Sequence, residues 1–483
     1  MGYDRLNAQD AALLCAQDPA TPLQIGAVAL VDLAPLLTDG GGVDLVRLRR
    51  HVEGRLGRLP RFRQKLLPVA FEQGPPVWVD DHNFDIVDHV STATLPQPGG
   101  ERELRAFVVR LLEQPLDDQR PLWELWLVEG LVRPDTAITP QQAALILKAS
   151  HVMADGIALL GFAWAMLDTD PHDCPDETVD APATGAVDHA GPGASPPRPG
   201  RLWIETAFAR ARHDVAVLAR TAVAGVQHPT QTVRQTTTLV RGLSATLVPA
   251  PALAITRPVG TSRDFSWLRL SLDDMRTVAA TFDVSLNDVM LSIVAAGLEE
   301  YQHPRRRPSP RGARVLVPVS THEADDLAGL GNNFAMMIAE LPEDGLDPVE
   351  RLQAVHRSTA TCKASGQTSL APVLFGASEL VPVWLLRRIA PTLIRHQPFA
   401  NLAVTNMSGS SDPLYLLGAR MRELYPFITV TGNIGVIIGV LSYVDELGLS
   451  VTVDADVVPE LDRLMAAMAG AADALVDQAG RQP

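Results

Sequence analysis

Residues 147–156 read Leu-Lys-Ala-Ser-His-Val-Met-Ala-Asp-Gly, so His151 closes an apolar run, with Asp155 and Gly156 just beyond it. A neutral imidazole accepts a proton near pH 7, because its unperturbed pKa is about 6.5. The pattern therefore suits a general base in a dry cleft, and the plain alternative is a core histidine whose ring is satisfied. Metal binding needs further ligands, and neither a suitable spacing nor His-Glu-x-x-His is present. Ser150 beside His151 invites a nucleophile reading. Adjacent residues leaving a strand point to opposite faces, however, and the chain has no Gly-x-Ser-x-Gly elbow. Asp155 before a helical run reads as an N-cap and Gly156 as a turn residue, both holding His151 in place. Ser285-x-x-Asp288 is a capping-box pattern, and the alternative sets Asn287 and Asp288 at a cleft between two halves of the chain.

The elements that must position these residues follow from hydrophobic period. Strands are expected at 24–32, 123–129 and 143–149, and helices at 43–58 and 102–113. The almost wholly apolar run from Gly156 to Leu167 reads as a buried helix entered through Asp155. Residues 169–200, rich in Pro, Gly, Asp and Ala, cannot build a core and read as a linker or crossover. A helical segment from about Leu202 to Val226 follows, then irregular chain to Arg263. The second half opens with a strand near Phe265–Leu270 and helices at 272–282 and from Ser285. Strands are expected at 314–319, 333–341, 402–406, 427–440 and 448–454, with a closing helix at 459–477. The coarse reading is α+β, with a first domain at 1–180, a crossover at 181–263 and a second domain at 264–483.

Composition narrows the classes. The chain has 483 residues, 46% hydrophobic and 20% charged, which is globular and too long for one ordinary core. A net charge of −15 argues against nucleic acid as a partner, and the basic cluster Arg305-Arg306-Arg307 with Arg311 lies among prolines. Cys15, Cys174 and Cys362 are far apart and odd in number, as expected in a reducing cytoplasm. The first ten residues lack the apolar core of a signal peptide, and no run of about 20 apolar residues suggests a spanning helix.

Taken together, the motifs resemble the bacterial wax ester synthase/acyl-CoA:diacylglycerol acyltransferase family in its actinobacterial form, nearly end to end. They include Leu6-Asn7-Ala8-Gln9-Asp10-Ala11, Pro60-Arg61-Phe62-Arg63-Gln64, Trp78-Val79-Asp80-Asp81 and Pro115-Leu116-Asp117. Arg120-Pro121-Leu122-Trp123-Glu124 and the histidine motif follow, then Leu286-Asn287-Asp288-Val289, Val317-Pro318-Val319-Ser320 and Gly331-Asn332. Thr405-Asn406-Met407-Ser408-Gly409 is similar to the family's Asn-Val-Pro-Gly segment, and Ser442-Tyr443 and Asp454-Ala455-Asp456 also fit. The family pattern is His-His-x-x-x-Asp-Gly. Its second histidine is His151 here, and Ser150 replaces the first, which serves as support.

The resemblance implies two acyltransferase-like domains of the chloramphenicol acetyltransferase type, mixed sheets flanked by helices with an active-site tunnel between them. It implies transfer of a long-chain acyl group from acyl-CoA, as co-substrate and with no bound cofactor or metal, to diacylglycerol or a long-chain alcohol. His151 would take the hydroxyl proton as the oxygen attacks the thioester, without an acyl-enzyme. Ser150, Asp155 and Gly156 are its support, and Pro121, Leu122, Trp123, Asn287, Asp288 and Asn406 are binding or interface candidates. A lipid acceptor further implies a cytoplasmic protein peripheral to a membrane or lipid droplet. Residues 380–397 suit such an interface, because they combine Trp384 and aliphatics with Arg387, Arg388 and Arg395, although Pro382 and Pro391 would break a helix there. Two other readings stay open: a same-fold enzyme acting on a polyketide-type diol or carrier-bound substrate, and a non-catalytic lipid- or CoA-binding relative.

Overall fold

The structure, a computed structural model, describes residues 4–17, 21–69, 74–133, 141–153, 156–172, 249–302, 312–320, 334–364 and 383–481. Asp155, the linker from residue 173 on, the expected helix at Leu202–Val226 and Gly331-Asn332 lie outside the described residues.

In the first half, helix α1 (Ala8–Ala16) precedes strand β1 (Gln24–Asp32), helix α2 (Leu45–Arg55) and strands β2 (Gln64–Leu67), β3 (Val77–Asp80) and β4 (Val90–Thr94). Helix α3 (Glu101–Glu113), strands β5 (Trp123–Leu131) and β6 (Gln142–Ser150), and helix α4 (Gly156–Met166) follow. The second half begins with β7 (Arg263–Ser271), α5 (Leu272–Thr281) and α6 (Leu286–Gln302). Next come β8 (Arg314–Ser320), β9 (Phe334–Glu340), α7 (Pro348–Ala364) and α8 (Val383–Arg395). Strands β10 (Leu402–Met407), β11 (Tyr415–Leu416), β12 (Ala419–Ile428), β13 (Val436–Tyr443) and β14 (Glu446–Asp454) lead to α9 (Leu461–Ala479).

Two mixed sheets organise these elements. The first has the order β11-β12-β1-β6-β5-β4 and the second β7-β14-β13-β10-β8-β9. Strands β4 and β5 run parallel in the first, and β10 runs parallel to both β8 and β13 in the second. β11 and β12 come from the second half of the chain, yet they complete the first sheet by antiparallel pairing on β1. The two halves are therefore joined through a shared sheet as well as a packed surface.

β1 is central, and it is buried on both faces because each face has a cover. On one face Ile25, Ala29 and Val31 join a core with Leu159, Leu160 and Phe162 of α4. On the other, Val28 and Leu30 pack with Leu104, Val108, Leu111 and Leu112 of α3 and with Phe265 and Trp267 of β7. Those α3 residues recur at helical spacing, and burying each such side chain contributes roughly 1.5–3 kcal/mol. Gly26 is required by close approach: an added Cβ would fall 1.9 Å from the Leu147 carbonyl oxygen and 2.2 Å from the Phe427 ring. A third core, between the second sheet and α5, α6 and α9, explains why α6 is buried nearly all round.

Two sequence expectations are corrected. The run expected as one strand at 427–440 is two strands, because β12 ends at Ile428 and β13 starts at Val436. Gly432 turns there with φ +65, and Thr429 Oγ1 leaves the ladder to donate to the Pro22 carbonyl at 2.6 Å. Pro391 does not end a helix: α8 continues through it to Arg395, while its inner face packs Leu386, Ala390 and Ile394 against Cys15 and Ala16 of α1. Helix α1, strands β2, β3, β4 and β11, most of β12, and helix α7 have no counterpart among the expected elements.

Candidate active site

β6 carries the chain to Ser150, and three backbone hydrogen bonds then fix the turn that presents His151. The Ser150 amide donates to the Leu122 carbonyl at 2.9 Å, and the His151 amide donates to the Leu23 carbonyl at 2.9 Å. The Met153 amide closes the turn on the Ser150 carbonyl at 3.0 Å. The segment Pro121-Leu122-Trp123 thus acts on His151 through the backbone.

Trp123 is a buried strut. Its indole Nε1 donates to the Phe62 carbonyl at 2.8 Å, and its own carbonyl accepts from His89 Nδ1 at 2.8 Å. His89 is stacked between the rings of Phe84 and Trp123, at 5.0 and 4.6 Å between centroids. Phe62 in turn stacks on Phe162 of α4 at 3.8 Å. This aromatic column holds α4 over the first sheet, an arrangement that offset and edge contacts favour.

Between α4 and the sheet lies an apolar cavity of about 180 Å³. β1 and β6 contribute Ile25, Ala27, Ala29 and Leu147 to its wall, and α4 contributes Leu160, Phe162 and Trp164. The second half closes it with Thr405 and Asn406 of β10 and Pro426 of β12. His151 lines this cavity, half-buried, and among the described residues on the wall it is the one titratable side chain. A low-dielectric wall around a single base is what proton abstraction from a weakly acidic group requires.

The sequence candidates therefore separate. His151 and Asn406, distant in the chain, meet on one cavity. Ser150 is buried and is not on the cavity wall, nor are Pro121, Leu122 and Trp123. Gly156 is the first residue of α4. Asn287 and Asp288 also lie off the wall, at the start of α6. Asp288 Oδ2 accepts from the Ser285 amide at 3.1 Å while Ser285 Oγ accepts from the Asp288 amide at 3.2 Å, a reciprocal capping box. Asp288 also accepts from Thr359 Oγ1 at 2.6 Å and His356 Nδ1 at 2.9 Å, which ties α6 to α7. Burial alone would raise its pKa, but the hydrogen bonds from His356, Thr359 and Ser285 hold it below the ordinary carboxylate value. Sequence reasoning did not single out Ala27, Ala29 or Trp164, and it named Thr405 only within a family segment. A signal existed for the alanines, since a period of two puts both on one face of β1.

The comparisons decide the family. The description "Wax ester synthase/diacylglycerol acyltransferase catalytic domain" fits residues 6–290, more than half of the chain, and "WS/DGAT C-terminal domain" fits residues 330–475. The chain belongs to the wax ester synthase/diacylglycerol acyltransferase family. A Mycobacterium tuberculosis protein named as a diacylglycerol O-acyltransferase is 30% identical over 470 residues, covering 95% of this chain and 87% of its own. A Mycobacterium bovis protein of the same designation is 29% identical over 466 residues, covering 95% and 93%. Among solved structures, the wax ester synthase/diacylglycerol acyltransferase of Marinobacter aquaeolei VT8 superposes with a TM-score of 0.64 at 24% identity, covering 99% of this chain and all of that one. The first condensation domain of the calcium-dependent antibiotic synthetase reaches 0.61 at 14% identity, covering 99% and 97%. These two similarities concern the fold, and they bear out the expected two-domain acyltransferase architecture. The chain is an acyltransferase enzyme of a family that uses acyl-CoA and lipid acceptors.

Proposed function

We propose that this acyltransferase moves a long-chain acyl group from acyl-CoA to the hydroxyl of diacylglycerol, and also of long-chain alcohols, with His151 as general base. The observation that carries this reading is His151 as the one titratable side chain on the wall of the apolar cavity, among the described residues. The imidazole takes the hydroxyl proton as the oxygen attacks the thioester carbonyl. The tetrahedral oxyanion collapses to the ester, and the thiolate, the conjugate base of a thiol of pKa about 8.5, leaves and recovers the proton from the imidazolium. Thr405 and Asn406 line the cavity at its inter-half wall, and a side-chain hydroxyl or amide there is a donor of the kind an oxyanion needs. Ser150 supports the turn from the buried side.

The test is thiol release from palmitoyl-CoA in the presence of dioleoylglycerol or hexadecanol. His151→Ala is expected to lower the rate by roughly 10²–10⁴-fold, the usual worth of a positioned base. An unchanged rate in that variant, or no turnover by the wild type with any acceptor, overturns the reading.

Such acceptors reside in membranes and droplets, and α8 supports a peripheral enzyme. It exposes Trp384 at 49% and Leu393 at 63%, together with Arg387, Arg388 and Arg395, and it carries no acidic residue. Apolar side chains beside cations suit an anionic lipid surface. Among the described residues no single helix is long and apolar enough to cross a membrane.

A further inference from the structure

The cavity under α4 has a direction that the strand register makes explicit. Ser150 pairs with Gln24, so His151 stands at the Ile25 end of β1. From there the cavity follows one face of β1 through Ala27 and Ala29 to Val31, with Leu147 and Leu145 of β6 along one side and Pro426 and Leu424 of β12 along the other. Ala27 lies mid-strand in the middle of the sheet and is nonetheless only half-buried, because the cavity stands above it. Flanking strands about 4.8 Å to either side carry these larger residues, so the groove over the alanines is one alkyl chain wide. At roughly 3.3 Å per residue, Ile25 to Val31 spans about 20 Å.

At the far end a backbone bridge joins the two halves. Asp168, just past α4, and Tyr415 of β11 exchange two backbone hydrogen bonds of 2.8 Å, and Arg55 holds the Asp168 carboxylate. Leu167, Leu416 and Met421 line the cavity at this end, and Met421 pairs with Val31 at the last rung.

We infer that this channel binds the acyl chain of the thioester donor, and that Ala29 and Met421 set the chain length the enzyme accepts. The inference rests on His151 as the reacting end. A channel one chain wide takes the single chain of an acyl donor and excludes the paired chains of diacylglycerol. An acyl group whose carbonyl lies beside His151 runs over Ala27 and Ala29, and a chain longer than about 20 Å meets Met421.

The test measures kcat/KM for butyryl-, octanoyl-, palmitoyl- and arachidoyl-CoA at a fixed concentration of one alcohol, and then for a series of alcohols with one donor. Ala29→Phe blocks the channel about two-thirds of the way along, and the palmitoyl-to-butyryl ratio is expected to fall about tenfold or more. Met421→Ala deepens the far end, and the arachidoyl-to-palmitoyl ratio is expected to rise by a similar factor. Circular dichroism and thermal melting report that each variant folds, and Met421→Ala, which only removes atoms, carries the test if Ala29→Phe does not. Donor ratios unmoved in folded variants overturn the inference. A shift in alcohol preference at constant donor preference overturns it too, by placing the acceptor's chain in the channel. Loss of turnover in His151→Ala with unmoved length profiles defeats the channel and leaves the base. Retained turnover in His151→Ala with shifted profiles defeats the base, and the clause that rests on it, while the donor's chain stays in the channel.

Discussion

Lys148 Nζ donates to the carbonyl oxygen of Gln114 at 2.7 Å from a side chain with 0% exposure. Gln24 Nε2 donates to the same oxygen at 2.8 Å. Gln114 caps the C-terminal end of α3, where the helix dipole favours a cation. One carbonyl thus ties α3 to β1 and β6 beside the strand ends that lead into His151. Glu124 Oε2 lies 3.8 Å from the ammonium and is itself partly exposed.

Burial pushes the Lys148 pKa below its ordinary 10.5, with Glu124 opposing. A depressed pKa on a cation means that the unfolded chain keeps the proton to higher pH, so this group's contribution to stability rises with pH up to 10.5. Lys148→Met removes that dependence. Its stability relative to wild type is expected to be highest near pH 7 and to decline toward pH 10, by at most about 1.4 kcal/mol per pH unit. Urea unfolding at both pH values checks this, and a relative stability that climbs with pH refutes it.

His89 and His51 should make the fold sensitive to mild acid. His51 Nε2 donates to the Met166 carbonyl at 2.9 Å, and His89 Nδ1 to the Trp123 carbonyl at 2.8 Å. Burial pushes both pKa values below 6.5 despite those backbone hydrogen bonds. Their stabilising contribution is complete above pH 6.5 and is lost as the pH falls below it, because the unfolded imidazoles charge first. Each costs at most about 1.4 kcal/mol per unit until its folded pKa is reached. His89→Asn is expected to flatten the stability profile between pH 7 and pH 5; a profile as steep as that of the wild type counts against the assignment.

Asp288 is expected to matter for stability. Asp288→Ala removes the shared acceptor of Thr359, His356 and the Ser285 amide and leaves Thr359 only its 3.1 Å bond to the His356 carbonyl, at a cost of about 3 kcal/mol. Because its folded pKa lies below 3.8, the native carboxylate stabilises above that value and loses its effect as the pH drops through the folded pKa. Any fall in activity should follow the folded fraction, read by circular dichroism, with the KM for acyl-CoA unmoved. A raised KM in fully folded protein would return Asp288 to the substrate.

Vesicle sedimentation tests α8. Arg388→Glu with Arg395→Glu is expected to reduce binding to phosphatidylglycerol-containing vesicles by about thirtyfold or more, at about 1 kcal/mol per cation near an anionic surface. Binding to pure phosphatidylcholine should change far less. Equal binding of wild type and variant to the anionic vesicles removes α8 from the interface.

Much of this was legible before any coordinates. β1 spans the expected residues 24–32, because burial on both faces leaves an unbroken apolar run with clear ends. The apolar run after Asp155 is α4, and Ser285-x-x-Asp288 is a capping box, because both depend on local chemistry. The split between β12 and β13 was hidden, since Thr429, Val430 and Thr431 have the composition of a strand and only Gly432 marks the turn. Helix α7 escaped because its buried positions include Arg351, Thr359 and Cys362, which weaken the apolar period. Pro391 misled because packing against α1 outweighs a local propensity.

The sequence by itself determined the family, the two-half α+β plan and the histidine motif, all of which reside in residue types at short spacing. The tertiary structure decided that β12 pairs with β1, and so where the far end of the cavity falls. It also separated His151 and Asn406, which meet on one wall, from Asn287 and Asp288, which do not. Strand pairing across the whole chain is set by which apolar faces can be buried together, a property of the assembled sheets that no local window of sequence contains.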